Sequence, residues 1–163
     1  MSEPRFAEEI DLSELIFTRF QPGDDLFGMI RRTLSDAGWK RCVVLSAIGS
    51  LVNVSFVDLK PGVEIPISKD KVNVVEIKGP FELLSLEGNV VPLVGDFADM
   101  KDGDPVLHFH AILGHEGGHI TGGHMVKATV FTTMELLLAH IKESNVKKKQ
   151  SLVTGLAEMR GDL

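Results

Sequence analysis

The sequence predicts an α+β domain: a mostly antiparallel β-sheet with one main helix packed on it at about residues 25–37. Three observations carry this expectation. Leu26, Met29, Ile30, Leu34 and Ala37 recur at helical spacing. Nearly all other apolar residues fall in short runs rich in Val, Ile, Leu and Phe, separated by Gly and Pro signals. The 163 residues, 44% hydrophobic and 25% charged, amount to about one domain, and a chain of this size hides roughly 70% of its unfolded surface.

The elements follow in order. Residues 1–12 form an acidic N-terminal extension, residues 13–141 the domain, and residues 142–163 a polar tail in which Leu152 and Leu156 are the candidates for docking on the body. Ser13 to Phe20 reads as a strand with Leu15, Phe17 and Arg19 on one side. Pro22 and Gly23 end it, Asp24 is placed to cap the helix, and Gly38 is placed just past its end in the left-handed conformation. Arg41 to Ile48 and Leu51 to Leu59 read as two strands broken at Gly49 and Ser50. Val72 to Lys78, Phe81 to Glu87 and Asn89 to Leu93 follow as strands punctuated by Gly79-Pro80 and Gly88. Gly95 to Asp104 is an acidic loop. Pro105 to Leu113 is a strand, and Ile120 to Phe131 returns after a glycine-rich turn. Thr132 to Ile141 has helical propensity, but its short connection to the preceding strand favours a buried final strand.

Composition removes several function classes. Cys42 is the only cysteine, so neither an internal disulfide nor a cysteine-rich zinc module is possible, which fits a reducing compartment. The N-terminus lacks the basic start and apolar stretch of a secretory signal. The longest uncharged run, Cys42 to Val57, holds three serines and falls short of the roughly 20 apolar residues that a membrane span needs. A cytoplasmic protein with no membrane partner is expected. The net charge is −6, whereas nonspecific DNA binding rests on a positive surface that displaces counterions. Arg31/Arg32, Lys40/Arg41 and Lys147 to Lys149 are small basic groups that read as solvated faces.

Chemistry points to the histidines. Five of the six, His108, His110, His115, His119 and His124, lie in PVLHFHAILGHEGGHITGGHMVKATVF. Residues two apart on a strand share a face, so His108 and His110 leave one side while Leu107, Phe109, Ala111 and Leu113 leave the other. If Gly117 is the midpoint of a hairpin, His110 faces His124 across the pair. Opposed residues share a face, with Cβ atoms about 4.5–5.5 Å apart. Three imidazoles then emerge together, in reach of one ion through bonds of about 2.0–2.1 Å. A slip of one residue would destroy this arrangement. Three neutral nitrogens leave a fourth position open, as in catalytic zinc sites. His115 and His119 either supply a fourth ligand or stand exposed in the turn. Gly122 and Gly123 either clear space beside the site or mark a bulge. His140 reads as structural. Glu82, Glu87 and Asp96 are candidates to orient a histidine or act as a base, with solvated strand ends as the plainer reading. No nucleophile elbow, P-loop or dinucleotide fingerprint occurs.

Four stretches in order, IFTRFQPGDDLFGMI, SAIGSLVNVSF, IKGPFELLSLEGNV and HFHAILG…GGHMVKATVFTTMELLL, resemble the plant-and-prokaryote-conserved (PPC) domain family, also known as domain of unknown function 296, in its stand-alone prokaryotic form. The resemblance implies a compact fold with a largely antiparallel sheet, assembly as a homotrimer, and zinc or another divalent transition metal at His108, His110 and His124. The histidine triad, with no other catalytic motif in the chain, points to a ligand-binding or regulatory role. Plant members carry AT-hooks for the DNA minor groove, and prokaryotic members carry a DNA-binding label by that association. This chain has no Arg-Gly-Arg-Pro core, which with its charge argues against direct DNA binding. The competing expectation is a metal-dependent hydrolase or lyase acting on a small molecule.

Overall fold

One α-helix, two short 3-10 turns and eight strands appear in the computed structural model, which describes residues 7–161. Strand β1 (Leu15–Phe20) leads into helix α1 (Leu26–Ala37). Strands β2 (Cys42–Leu59), β3 (Val72–Ile77), β4 (Phe81–Val94), β5 (Pro105–His115) and β6 (His119–His140) build the main sheet. Strands β7 (Lys147–Gln150) and β8 (Ala157–Arg160) close the chain. The sheet order is β3-β2-β6-β5-β4-β7-β8, with β1 on β6. Every pairing is antiparallel except β4 with β7. Because β2 pairs with β4 as well as with β6, strands β2, β6, β5 and β4 close on themselves. The α+β expectation with one main helix is met.

The helix is fixed at both ends by local chemistry. Asp25, not Asp24, is the N-cap, and its Oδ2 accepts the Gly28 N–H at 3.1 Å. Asp24 instead accepts from the Gln21 N–H at 2.8 Å and shapes the turn before the helix. Gly38 stops the helix at φ 70°, with its N–H on the Leu34 and Ser35 carbonyls, a left-handed end that costs glycine little. Leu26, Phe27, Ile30 and Leu34 are buried, and the Phe27 ring meets Phe109 at 5.4 Å between centroids.

Two expected strand breaks are absent. Leu51 follows Gly49 within one continuous β2, which crosses that point through a bulge. Likewise β4 runs unbroken through Gly88. A Cβ at Gly88 would lie 2.0 Å from the His108 carbonyl oxygen. The glycine therefore marks a close approach of two strands and not the end of one.

Thr132 to Ile141 does form strand, as the rear half of β6 up to His140. Met134, Leu136 and Leu138 are fully buried on one face, and the segment pairs with β1 on one side and β2 on the other. Two ladders and a buried face outweigh the helical propensity of Met, Glu and Leu. β1 turns its Leu15 and Phe17 side outward, at 54% and 72% exposure, and buries Phe20. In the tail, Leu152 is 90% exposed and Leu156 46%; the buried residues there are Ser144, Val146, Lys148 and Ser151. The tail attaches through parallel pairing, Leu93 with Lys148 and Val94 with Lys149, and through Arg41 Nε donating to the Val146 carbonyl at 2.6 Å.

Candidate metal centre

The hairpin register is the one that the histidine spacing predicts. His110 pairs directly with His124, and His115 with His119, about a turn at Glu116 to Gly118 where Gly117 has φ 76°. Along β5, Phe109, Ala111 and Leu113 are buried inward, so His108 and His110 must leave the outer face. His110 Nε2 lies 3.3 Å from His108 Nε2 and 3.3 Å from His124 Nδ1. All three ligand atoms fall within 4.8 Å of one another.

These spacings have chemical meaning. Four donors at about 2.0–2.1 Å around a tetrahedral zinc stand about 3.3–3.4 Å apart, which is the separation found on two edges of the triangle. Among the described residues no cysteine, carboxylate or further histidine joins the cluster. The donor set is three imidazoles, the chemistry that divalent transition metals accept.

Electrostatics keep His108 and His124 in the neutral form that can bind a metal. Burial pushes the His108 pKa down to about 4, and the charges of Lys148, His124 and His110 push the same way. Burial likewise lowers His124, helped by His110 and Lys148. Metal binding requires neutral imidazole, so both rings are prepared for it at neutral pH.

The glycines before His124 serve close packing. A Cβ at Gly122 would lie 2.3 Å from the Ala111 carbonyl oxygen, so glycine lets β6 approach β5 at the level of the site. Beside it, Ser85, Glu87, His110, Ile112, Thr121 and Gly122 line an open depression of about 480 Å³.

The other singled-out residues separate cleanly. His115 and His119 sit at the hairpin end, apart from the triad, with rings 5.6 Å from each other and His115 edge-on to Phe81 at 5.7 Å. His140 is structural: its Nδ1 lies 2.8 Å from Glu14 Oε2, and its ring stacks on Trp39 at 4.7 Å. Glu87 is opposite His110 on β4 and receives the Ser85 hydroxyl at 3.4 Å. Glu82 is opposite Gly114, and Asp96 binds Lys101 in the loop.

Sequence reasoning missed two groups. Lys148, read as part of a solvated basic run, is 2% exposed. Asn89 lies opposite His108 and has a buried Oδ1 with no hydrogen-bond partner. A signal for Lys148 was present: Val146 and Lys148 are two apart, so if the segment is a strand the lysine follows an apolar residue onto the covered face. Arg31 and Lys40 are exposed, as a solvated face requires, and with the half-buried Arg41 and Lys147 they line one open depression of about 430 Å³ beside Trp39.

Comparison with known proteins places this geometry in a family. The model of the Plants and Prokaryotes Conserved (PCC) domain matches residues 9–142. A plant- and prokaryote-conserved protein from Pyrococcus horikoshii is 26% identical, with 96% of this chain and 99% of that chain covered and a TM-score of 0.73. A metal-containing protein from Archaeoglobus fulgidus is also 26% identical over the same shares, with a TM-score of 0.77. A Bacteroides thetaiotaomicron protein, provisionally described as DNA-binding, shares the fold at 13% identity, 93% and 94% coverage and a TM-score of 0.71. No curated protein matches the sequence.

Proposed function

The chain belongs to the Plants and Prokaryotes Conserved domain family, and on that premise we propose that it is a metal-binding protein whose His108, His110 and His124 hold one divalent cation, zinc in the first instance. The observation that carries this reading is the pair of 3.3 Å nitrogen–nitrogen separations centred on His110 Nε2, which suits tetrahedral donors. The description of the Archaeoglobus relative as metal-containing supports it. The role that fits best is small-ligand binding or regulation in the cytoplasm. Three protein donors leave room for a ligand, and the depression beside His110 gives it access.

A second reading, a metal-dependent hydrolase or lyase, draws on the same three-donor set. When bound, such a metal supplies Lewis acidity and a water of lowered pKa. Within the chain, Glu87 opposite His110 is the group positioned to hold a proton. We also propose self-assembly as a homotrimer. Phe17 and Ile48 flank β6 on one outer face, opposite Leu137 and Glu135, and are 72% and 64% exposed; an apolar face of this kind marks interaction surfaces.

Metal analysis of untagged protein tests the central proposal. About one equivalent of zinc per chain is expected, falling below a tenth in His110→Ala. An apparent content below a tenth in the wild-type protein, with no zinc-induced rise in Tm, overturns it. Ester, amide or phosphate hydrolysis that is lost on chelation and in His110→Ala would favour the enzyme reading.

A further inference from the structure

A basic depression that shares no residue with the triad lies between α1, the end of β4 and β7. Arg31, Lys40, Arg41 and Lys147 line it beside Trp39, around a volume of about 430 Å³, which suits a small ligand. Among the described residues Asp102 is the one acid in the lining, and its Oδ1 is occupied by the Gly95 N–H at 2.7 Å. Four cations thus surround one carboxylate, in a chain whose 23 acids outnumber its 17 Lys and Arg. None of the four makes an ion pair with any described residue.

The fold gathers these charges from distant segments. Arg31 belongs to α1, Lys40 and Arg41 follow the helix stop at Gly38, and Lys147 opens β7, which the pairing of Lys148 with Leu93 sets against β4. Arg41 is fixed in place, because its Nε donates to the Val146 carbonyl at 2.6 Å. That bond brings the start of β7 to the guanidinium and leaves Nη1 and Nη2 without a described acceptor. Burial lowers the Arg41 pKa and the charge of Glu8 raises it; Glu8 itself accepts the Asn145 N–H at 3.3 Å. Like charges gathered in this way repel, and a multiply charged anion among them reverses the sign. A guanidinium with two unspent amino groups matches two oxygens of a phosphate. Four cations less Asp102 leave three positive charges, which balance a pyrophosphate better than a single carboxylate.

We propose that this depression binds a small molecule through a pyrophosphate group, with Arg41 supplying the fork and Arg31, Lys40 and Lys147 the balancing charge. The proposal is independent of the metal reading above. Trp39 is the only tryptophan of the chain and lines the depression, so its fluorescence reports occupancy. Inorganic pyrophosphate, titrated at a physiological salt of about 0.15 M, should give a saturable change with a Kd below about 1 mM, matched by calorimetry. The double variant Lys40→Gln/Lys147→Gln should weaken binding about tenfold or more. Lys60→Gln/Lys127→Gln removes the same charge outside the depression and should leave the affinity as it is. Arg41→Lys, which keeps the charge but loses the fork, should weaken binding as well. Because pyrophosphate also ligates metals, protein stripped by dialysis against a chelator is titrated alongside and should bind equally well. No saturable response in the wild type, undiminished affinity in Lys40→Gln/Lys147→Gln or in Arg41→Lys, or an equal loss in Lys60→Gln/Lys127→Gln overturns the proposal. Loss of binding on metal removal overturns it too and assigns the anion to the triad. Acetate binding as tight as pyrophosphate removes the pyrophosphate assignment, and displacement of pyrophosphate by a micromolar AT-rich duplex replaces it with a nucleic acid.

Discussion

His108 ties the stability of the metal-free protein to pH. Its pKa in the folded chain is about 4, first because the ring is buried and next because Lys148 stands nearby, against about 6.5 for an ordinary histidine. Below pH 6.5 the unfolded chain takes up a proton that folded His108 refuses, so stability is lost as pH falls and the loss levels off near 4. His124, lowered mainly by burial, adds in the same direction. The Tm of metal-free protein should therefore drop between pH 6.5 and 4, and His108→Asn should flatten that slope. Parallel pH–Tm curves for the two proteins would count against the assignment. At this scale much of the site was legible in the sequence. Alternation along one strand and the symmetry of one hairpin are local rules, and they bring His108, His110 and His124 together without reference to the remaining fold. Lys148 was not legible, because its burial follows from β7 meeting Leu93 on β4, far back in the chain.

Among the elements, α1 is the one that the sequence defined most closely. Its apolar spacing set its length and Gly38 set its end. The cap moved by one residue, since two adjacent aspartates compete and only the backbone path decides which carboxylate meets the Gly28 N–H. Asp25→Ala should cost about 1 kcal/mol in denaturant unfolding. The strands teach a different lesson. Gly49 and Gly88 look like punctuation, yet β2 and β4 pass through both. Gly88→Ala would drive a methyl group into the His108 carbonyl at a φ of 151°. It should destabilise the protein by about 1–3 kcal/mol or more and, by displacing β5, weaken zinc binding. A full-strength zinc site in a destabilised Gly88→Ala protein would show that the close approach supports the fold but not the site.

For the whole molecule, charge and assembly set the expectations. A net charge of −6 opposes the counterion release that drives DNA association, so micromolar protein should not shift an AT-rich duplex at physiological salt. A saturable shift would restore DNA as a partner. Light scattering should give three times the 17.8 kDa chain mass, and Phe17→Glu should reduce it; a monomeric wild type would remove the trimer. No helix among the described residues is long and apolar enough to cross a membrane. The sequence by itself determined the α+β class, the single helix and the register that aligns three histidines, because each depends on periodicity within a short segment. Only the tertiary structure decided that β2 and β4 close the sheet, that glycines mark strand approach instead of strand ends, and that a lysine from the tail is buried beside β4. Those features depend on which distant backbones come within hydrogen-bonding distance, and residue spacing within a single segment carries no record of that.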